Sequence, residues 1–243
     1  MKKWAPLLIL CAAWACSSAG GDSEPSAAPG DKYSTPLGDV LVSPLGHGSV
    51  MLSWNGKTIQ IDPFSQVADY TQLPPADLLL ITHEHYDHLD PAAWKATVTP
   101  DTQIIASAKA AEQMGPFTVQ TLNNGNSASW NGLTIQAVPA YNLWHKRPDG
   151  GFFHPKGEGN GYILHFGDFR LYIGGDTENI EEMASWAGTD VAFLPKNLPY
   201  TMTDEMFVDA AKRLQPKNLY PYHYEQADKE ALQQAVGDKI KIR

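Results

Sequence analysis

An α/β fold, with two β-rich halves packed face to face between outer helices, is predicted by three features of this 243-residue sequence. Short apolar runs bounded by Gly, Pro and Asn recur along the chain, helical patterns follow the opening strands of each half, and the second half repeats the manner of the first. The composition agrees: 43% hydrophobic, 10% aromatic and 19% charged residues describe a globular chain able to bury a sizeable core. It excludes disordered, collagen-like and coiled-coil classes.

The N-terminal residues stand apart from that domain. Lys2 and Lys3 precede an apolar run from Trp4 to Ala15, the layout of a secretory signal over residues 1–15. Ala13-Trp14-Ala15-Cys16 resembles the lipobox of bacterial lipoproteins, so Cys16 is expected to carry lipid and to anchor an exported protein in the cell envelope, at the outer membrane or periplasmic face. Ser, Ala, Gly and Pro dominate the next stretch, and residues 16–36 read as a lipidated cysteine and flexible tether ahead of a domain over 37–243.

From Asp39 the runs DVLVSPL, SVMLSW and KTIQIDPF read as a strand meander, with Asn55-Gly56 as a hairpin turn. LLLIT before His83 reads as a buried strand. Pro91 to Thr97 and Ala108 to Met114 read as helices, QIIASA and FTVQTL as strands. In the second half LTIQAVPA, GYILHF, RLYIGGD and VAFLP read as strands, with a hairpin at Gly167-Asp168 and a helix from about Glu178 to Trp186. Thr203 is placed to cap a helix with Asp204 and Glu205 in its first turn; it stops before Pro216. NLYPYH, a helix from Asp228 and KIKI close the chain.

With 18 basic against 27 acidic residues, the formal charge is −9, and no Lys/Arg cluster offers a nucleic-acid surface. Three of the eight histidines fall within His83-Glu84-His85-Tyr86-Asp87-His88. The cluster follows a buried strand, so its side chains emerge at a sheet edge. In an extended segment His83 and His85 point the same way and offer two imidazoles to one metal, while a turn after Tyr86 brings Asp87 and His88 toward a second. A mixed imidazole and carboxylate set suits a catalytic metal.

HEHYDHLD after a strand, with GHGSV and IDPF upstream and Gly174-Gly175-Asp176-Thr177 and Tyr220-Pro221-Tyr222-His223 downstream, resembles the metallo-β-lactamase superfamily. Within it the sequence is similar to the branch of ascorbate-6-phosphate lactonase-like hydrolases and N-acyl phosphatidylethanolamine-hydrolysing phospholipases D. The resemblance implies a metallo-β-lactamase-type αββα four-layer sandwich with two divalent metal ions at one edge, zinc first, with iron or manganese as alternatives. It assigns His83 and His85 to the first ion, Asp87, His88 and His223 to the second, and Asp176 to both. The third histidine such proteins supply to the first ion is replaced here by Asn142. His145 and His154 lie close enough in sequence to substitute, and the sequence does not choose between them.

His47 in GHGSV is expected near the ions, Asp62 is read as an orienting partner or turn former, and Lys196 as a contact for an anionic substrate group. Tyr141, Trp144, Phe152, Phe153, Tyr200 and Met202 form an aromatic-rich set expected to flank the site, half of it core. The expected activity is hydrolysis of an ester, lactone or phosphodiester, a lipid-derived one included, by a metal-activated water, with Asp87 orienting the water or moving its proton. A non-haem iron oxidoreductase and a non-catalytic metal-binding envelope lipoprotein are the alternative readings.

Overall fold

The computed structural model describes Met1 and residues 28–224 and 226–243. Cys16, the apolar segment before it and the tether up to residue 27 lie outside the described residues. The first sheet contains β1 (Asp31–Tyr33), β2 (Val40–Gly46), β3 (Ser49–Trp54), β4 (Lys57–Ile61), β5 (Leu78–Ile81), β6 (Gln103–Ala106) and β7 (Gln120–Thr121), ordered as in sequence. The second contains β8 (Ser127–Trp130), β9 (Leu133–Ala140), β10 (Gly159–Phe166), β11 (Phe169–Ile173), β12 (Val191–Pro195), β13 (Asn218–Tyr222) and β14 (Lys241–Ile242), also in sequence order. Each sheet opens antiparallel and turns parallel, from β4 onward in one and from β11 onward in the other. The repeated manner of the two halves is therefore a repeated topology.

Strand alternation builds the layers. In β5, Leu78 and Leu80 join the core between the sheets, while Leu79 and Ile81 pack outward with Trp94 of α1 (Pro91–Thr97) and Ala110 of α2 (Ala108–Gln113). In β12, Val191 and Phe193 face inward, while Ala192 and Leu194 meet Phe207 of α3 (Asp204–Leu214) and Leu232 of α4 (Lys229–Val236). Both strands are covered on two sides, which is why their sequences are apolar without a break. The helix boundaries obey local chemistry. Asp90 accepts from Ala92 N ahead of Pro91, Thr203 accepts from Met206 N, and Gln215 closes α3 in the left-handed region before Pro216.

Three expectations need correction. β1 lies inside the stretch 16–36 read as tether: Asp31–Tyr33 pairs with β2, and Tyr33 bonds the Tyr220 hydroxyl at 2.7 Å. Distant partners hold it in the domain, against a local composition that reads as linker. The helix expected from Glu178 is only a 3₁₀ turn over Glu181–Trp186, because Glu178 is buried and serves a neighbouring loop. FTVQTL contributes only Gln120–Thr121, and β8 with its Asn131-Gly132 turn adds a strand beyond the expected set.

Candidate metal centre

The residues of the site leave the strands at one edge of the sandwich. β5 runs into His83–His88, β11 into Asp176, β13 into His223 and β9 into Asn142; the β2–β3 turn carries His47, and Asp62 follows β4. Two glycines permit the approach. A Cβ on Gly48 would stand 2.6 Å from the His88 ring, and Gly175, at φ +62°, would place one 2.7 Å from Asn160 O. Among the described residues, six other than glycine adopt positive φ. Asn55, Asn131 and Gln215 close hairpins or cap a helix away from the site; the other three, His47, Asp62 and His223, are residues of the site. Backbone strain thus gathers where side chains are aimed.

Two donor sets converge. In the first, His85 Nδ1 lies 3.2 Å from both His83 Nε2 and His154 Nε2. In the second, Asp87 Oδ2 lies 2.7 Å from His47 Nε2, 3.2 Å from His223 Nε2 and 3.8 Å from His88 Nε2. Asp176 stands between them, its Oδ2 3.2 Å from His154 and 3.3 Å from His223, its Oδ1 3.4 Å from His88. His88 Nε2 and Asp176 Oδ1 are buried with no hydrogen-bond partner. Orphaned buried polar atoms among clustered nitrogens fit divalent ions of the zinc class.

The outward atoms of the ligands are fixed by their neighbours. Asp62 is fully buried, accepting His88 Nδ1 at 2.8 Å on Oδ2, Thr82 Oγ1 at 2.6 Å on the same atom and Thr82 N at 2.8 Å on Oδ1. Thr82 Oγ1 in turn meets His83 Nδ1 at 3.0 Å, so one carboxylate sets the tautomer of both rings and leaves each Nε2 facing the cavity. Burial, reinforced by His88, pushes His83 well below its ordinary pKa, and burial with His154 lowers His85. Both are neutral rings with a free lone pair. Burial pushes the Asp87 carboxyl up, but hydrogen bonds from His223 and His47 outweigh it and hold the group well below the usual carboxylate range.

The structure chooses His154 as the third imidazole. Asn142 is not in the donor set. Its Oδ1 accepts from His154 N at 2.7 Å and His154 Nδ1 at 2.9 Å, which aims His154 Nε2 at the site. His145 does not take part, since its Nδ1 bonds Glu178 Oε1 at 2.7 Å. Three imidazoles, those of His83, His85 and His154, therefore converge in the first set. Lys196 pairs with Asp204 at 2.6 Å and lines a separate cavity with Leu198 and Thr203, away from the donors. Of the aromatic-rich set, Tyr141 and Met202 are core, while Trp144 and Tyr200 are exposed.

Sequence reasoning missed three residues. Glu178 accepts from the backbone N of Leu143, Trp144 and His145 and from Asn142 Nδ2, a buried carboxylate around which the loop is built. Asn197 meets His223 Nδ1 at 3.2 Å, and Arg147 stands over His85. None carries a local signal; Glu178 alone could have been suspected, as an acid two positions beyond Asp176. Together with Phe153 and Tyr200, Arg147 and Asn197 line a cavity of about 430 Å³ that opens onto the donors.

Known proteins share this arrangement of chain. Residues 42–223 match the family described as the beta-lactamase superfamily domain. A UPF0173 metal-dependent hydrolase of Pyrococcus horikoshii is 31% identical over 220 residues, covering 84% of this chain and 95% of that one. Another, of Thermus thermophilus, is 34% identical over 217 residues, covering 82% and 92%. A solved structure from Parabacteroides distasonis, to which a metal-dependent hydrolase activity is ascribed, is 43% identical with a TM-score of 0.83, covering 89% of this chain and 98% of that one. With matches spanning nearly the whole domain, the chain belongs to the β-lactamase superfamily and, within it, to the UPF0173 metal-dependent hydrolases.

Proposed function

We propose that this hydrolase works with two divalent ions, zinc first, and cleaves an ester, lactone or phosphodiester. The observation that carries the reading is Asp176, one buried carboxylate shared between a three-imidazole set and a set of Asp87, His88 and His223. A divalent pair, when bound, supplies Lewis acidity and lowers the pKa of a water it holds. The chain supplies the rest. Asp87, kept ionised by His47 and His223, orients the attacking water on the open side of the site. His47, whose side chain is 24% exposed and 2.7 Å from Asp87, takes the water's proton and passes it to the leaving group.

An apolar, lipid-derived substrate is favoured by the loops around the cavity. Tyr86, Trp144 and Tyr200 are 58%, 72% and 44% exposed, and each lies on a segment that also carries a site residue. The same reading fits the resemblance to the lactonase-like and phospholipase D-like branch, and an exported protein anchored through Cys16 would meet such substrates at the envelope. Replacing Cys16 with Ser should move the protein to the soluble fraction; unchanged membrane fractionation refutes the anchor. For the activity, zinc is counted by elemental analysis and the loaded protein is screened against phosphodiesters, esters and lactones. Two ions with turnover of one class support the reading. A redox-active iron pair without hydrolysis, or a folded protein that takes up no metal, overturns it.

A further inference from the structure

Around the site Lys196 pairs with Asp204 at 2.6 Å, Lys156 with Glu182 at 2.8 Å and Lys109 with Glu158 at 2.5 Å, while Lys146 lies over the Phe152 ring. Arg147 has no carboxylate partner among the described residues, and it is the only Arg or Lys lining the cavity over the donors. Its Nη2 donates to Phe153 O at 2.9 Å and stands 3.3 Å from His85 Nε2. A hairpin holds it there. Lys146 bridges to Phe152, Arg147 N donates to Gly151 O at 2.7 Å and Gly150 N donates to Arg147 O at 2.9 Å, after which the chain returns as Phe153 and His154. One hairpin therefore delivers a cation to the cavity and an imidazole to the donor set.

His85 turns Nδ1 toward His83 and His154. An imidazole that gives its Nδ1 lone pair to an ion carries its proton on Nε2. Nε2–H is then a donor beside a guanidinium that is also a donor, and no carboxylate among the described residues pairs with either. An oxyanion is the group that satisfies both, and the planar guanidinium fork suits one. We propose that Arg147 and His85 Nε2–H form an oxyanion-binding pair beside the metal centre, so that the substrate carries a carboxylate or phosphate next to the bond that is cut. The proposal rests on the two-ion hydrolase reading above.

The test measures binding of inorganic phosphate, and separately of acetate, to zinc-loaded protein by calorimetry, with zinc stoichiometry and thermal melting recorded for every variant. Arg147→Ala should weaken the preferred anion about tenfold or more with zinc content and melting unchanged. Arg147→Lys, which keeps the charge but not the fork, should fall between. Lys146→Ala, which removes the same charge one residue away from a side chain lying over the Phe152 ring, should bind like the wild type. Which anion responds decides between phosphate and carboxylate. Equal affinities in wild type and Arg147→Ala, both zinc-loaded, overturn the pair alone. A wild type that takes up no zinc overturns the metal-centre reading and this proposal with it.

Discussion

Asn142→Ala separates a residue that aims a ligand from one that is a ligand. Asn142 makes four bonds: its Oδ1 accepts from His154 N and Nδ1, and its Nδ2 donates to Glu178 Oε1 at 3.0 Å and to Tyr200 O at 2.8 Å. At about 0.5–1.5 kcal/mol net each, their loss costs about 2–6 kcal/mol of stability. At the low end a domain of ordinary stability remains folded. His154 then keeps its imidazole but loses the acceptor that fixes its tautomer. Removing such a partner lowers metal affinity about 10–100-fold, or about 1.4–2.7 kcal/mol. The assay is competitive chelation of zinc at a temperature below the melting transition. His145→Ala is the comparator, because it breaks the 2.7 Å bond to Glu178 in the same loop without touching His83, His85 or His154. Asn142→Ala should release one ion early and His145→Ala should not; Asn142→His should fail to tighten binding, since it too removes the anchor of His154. Equal loss of affinity in Asn142→Ala and His145→Ala would mean that general loosening of the loop, not the aim of His154, sets the metal affinity.

The same geometry makes further demands. His154→Ala should abolish the zinc step of the His83 and His85 set, which His145→Ala leaves in place, read by stoichiometry after dialysis. Asp62→Ala should weaken both ions, because His88 and His83 share that carboxylate through Thr82, by at least the roughly tenfold typical of one lost orienting partner. Glu178→Ala should lower the melting temperature, costing about 2–5 kcal/mol for the three backbone donors it strands, and a melt indistinguishable from wild type would refute its role. For pH, burial pushes His88 down, yet Asp176 and Asp62 outweigh it and hold the ring well above its ordinary value. With His88 protonated at neutral pH, an ion taking Nε2 must displace a proton, so zinc affinity falls as pH drops from a point above about 6.5. Calorimetry in buffers of different ionisation enthalpy should register that proton at about pH 7, and affinity flat between about pH 8 and 6 would contradict it.

What the sequence determined by itself were the features whose chemistry is local. A covered strand with ligands after it at one sheet edge exposes itself in LLLIT and His83–His88, and the caps of α1 and α3 lie within three residues of the groups they serve. Asp176 and His223 were legible for the same reason, each at the end of a β run. The third imidazole was not. His154 meets His85 across 69 positions, through a hairpin closed by the backbone bridge between residues 146 and 152 and by Glu178 gathering three backbone donors from more than 30 residues away. Two histidines nine positions apart on one loop are equivalent by composition. Only the buried carboxylate that takes His145 for itself, and the amide that turns His154 inward, made them different; β1 likewise looked like tether until Tyr220 supplied its partner. Local sequence fixes which groups leave a strand, whereas loop closure and long-range hydrogen bonds decide which of them arrive together.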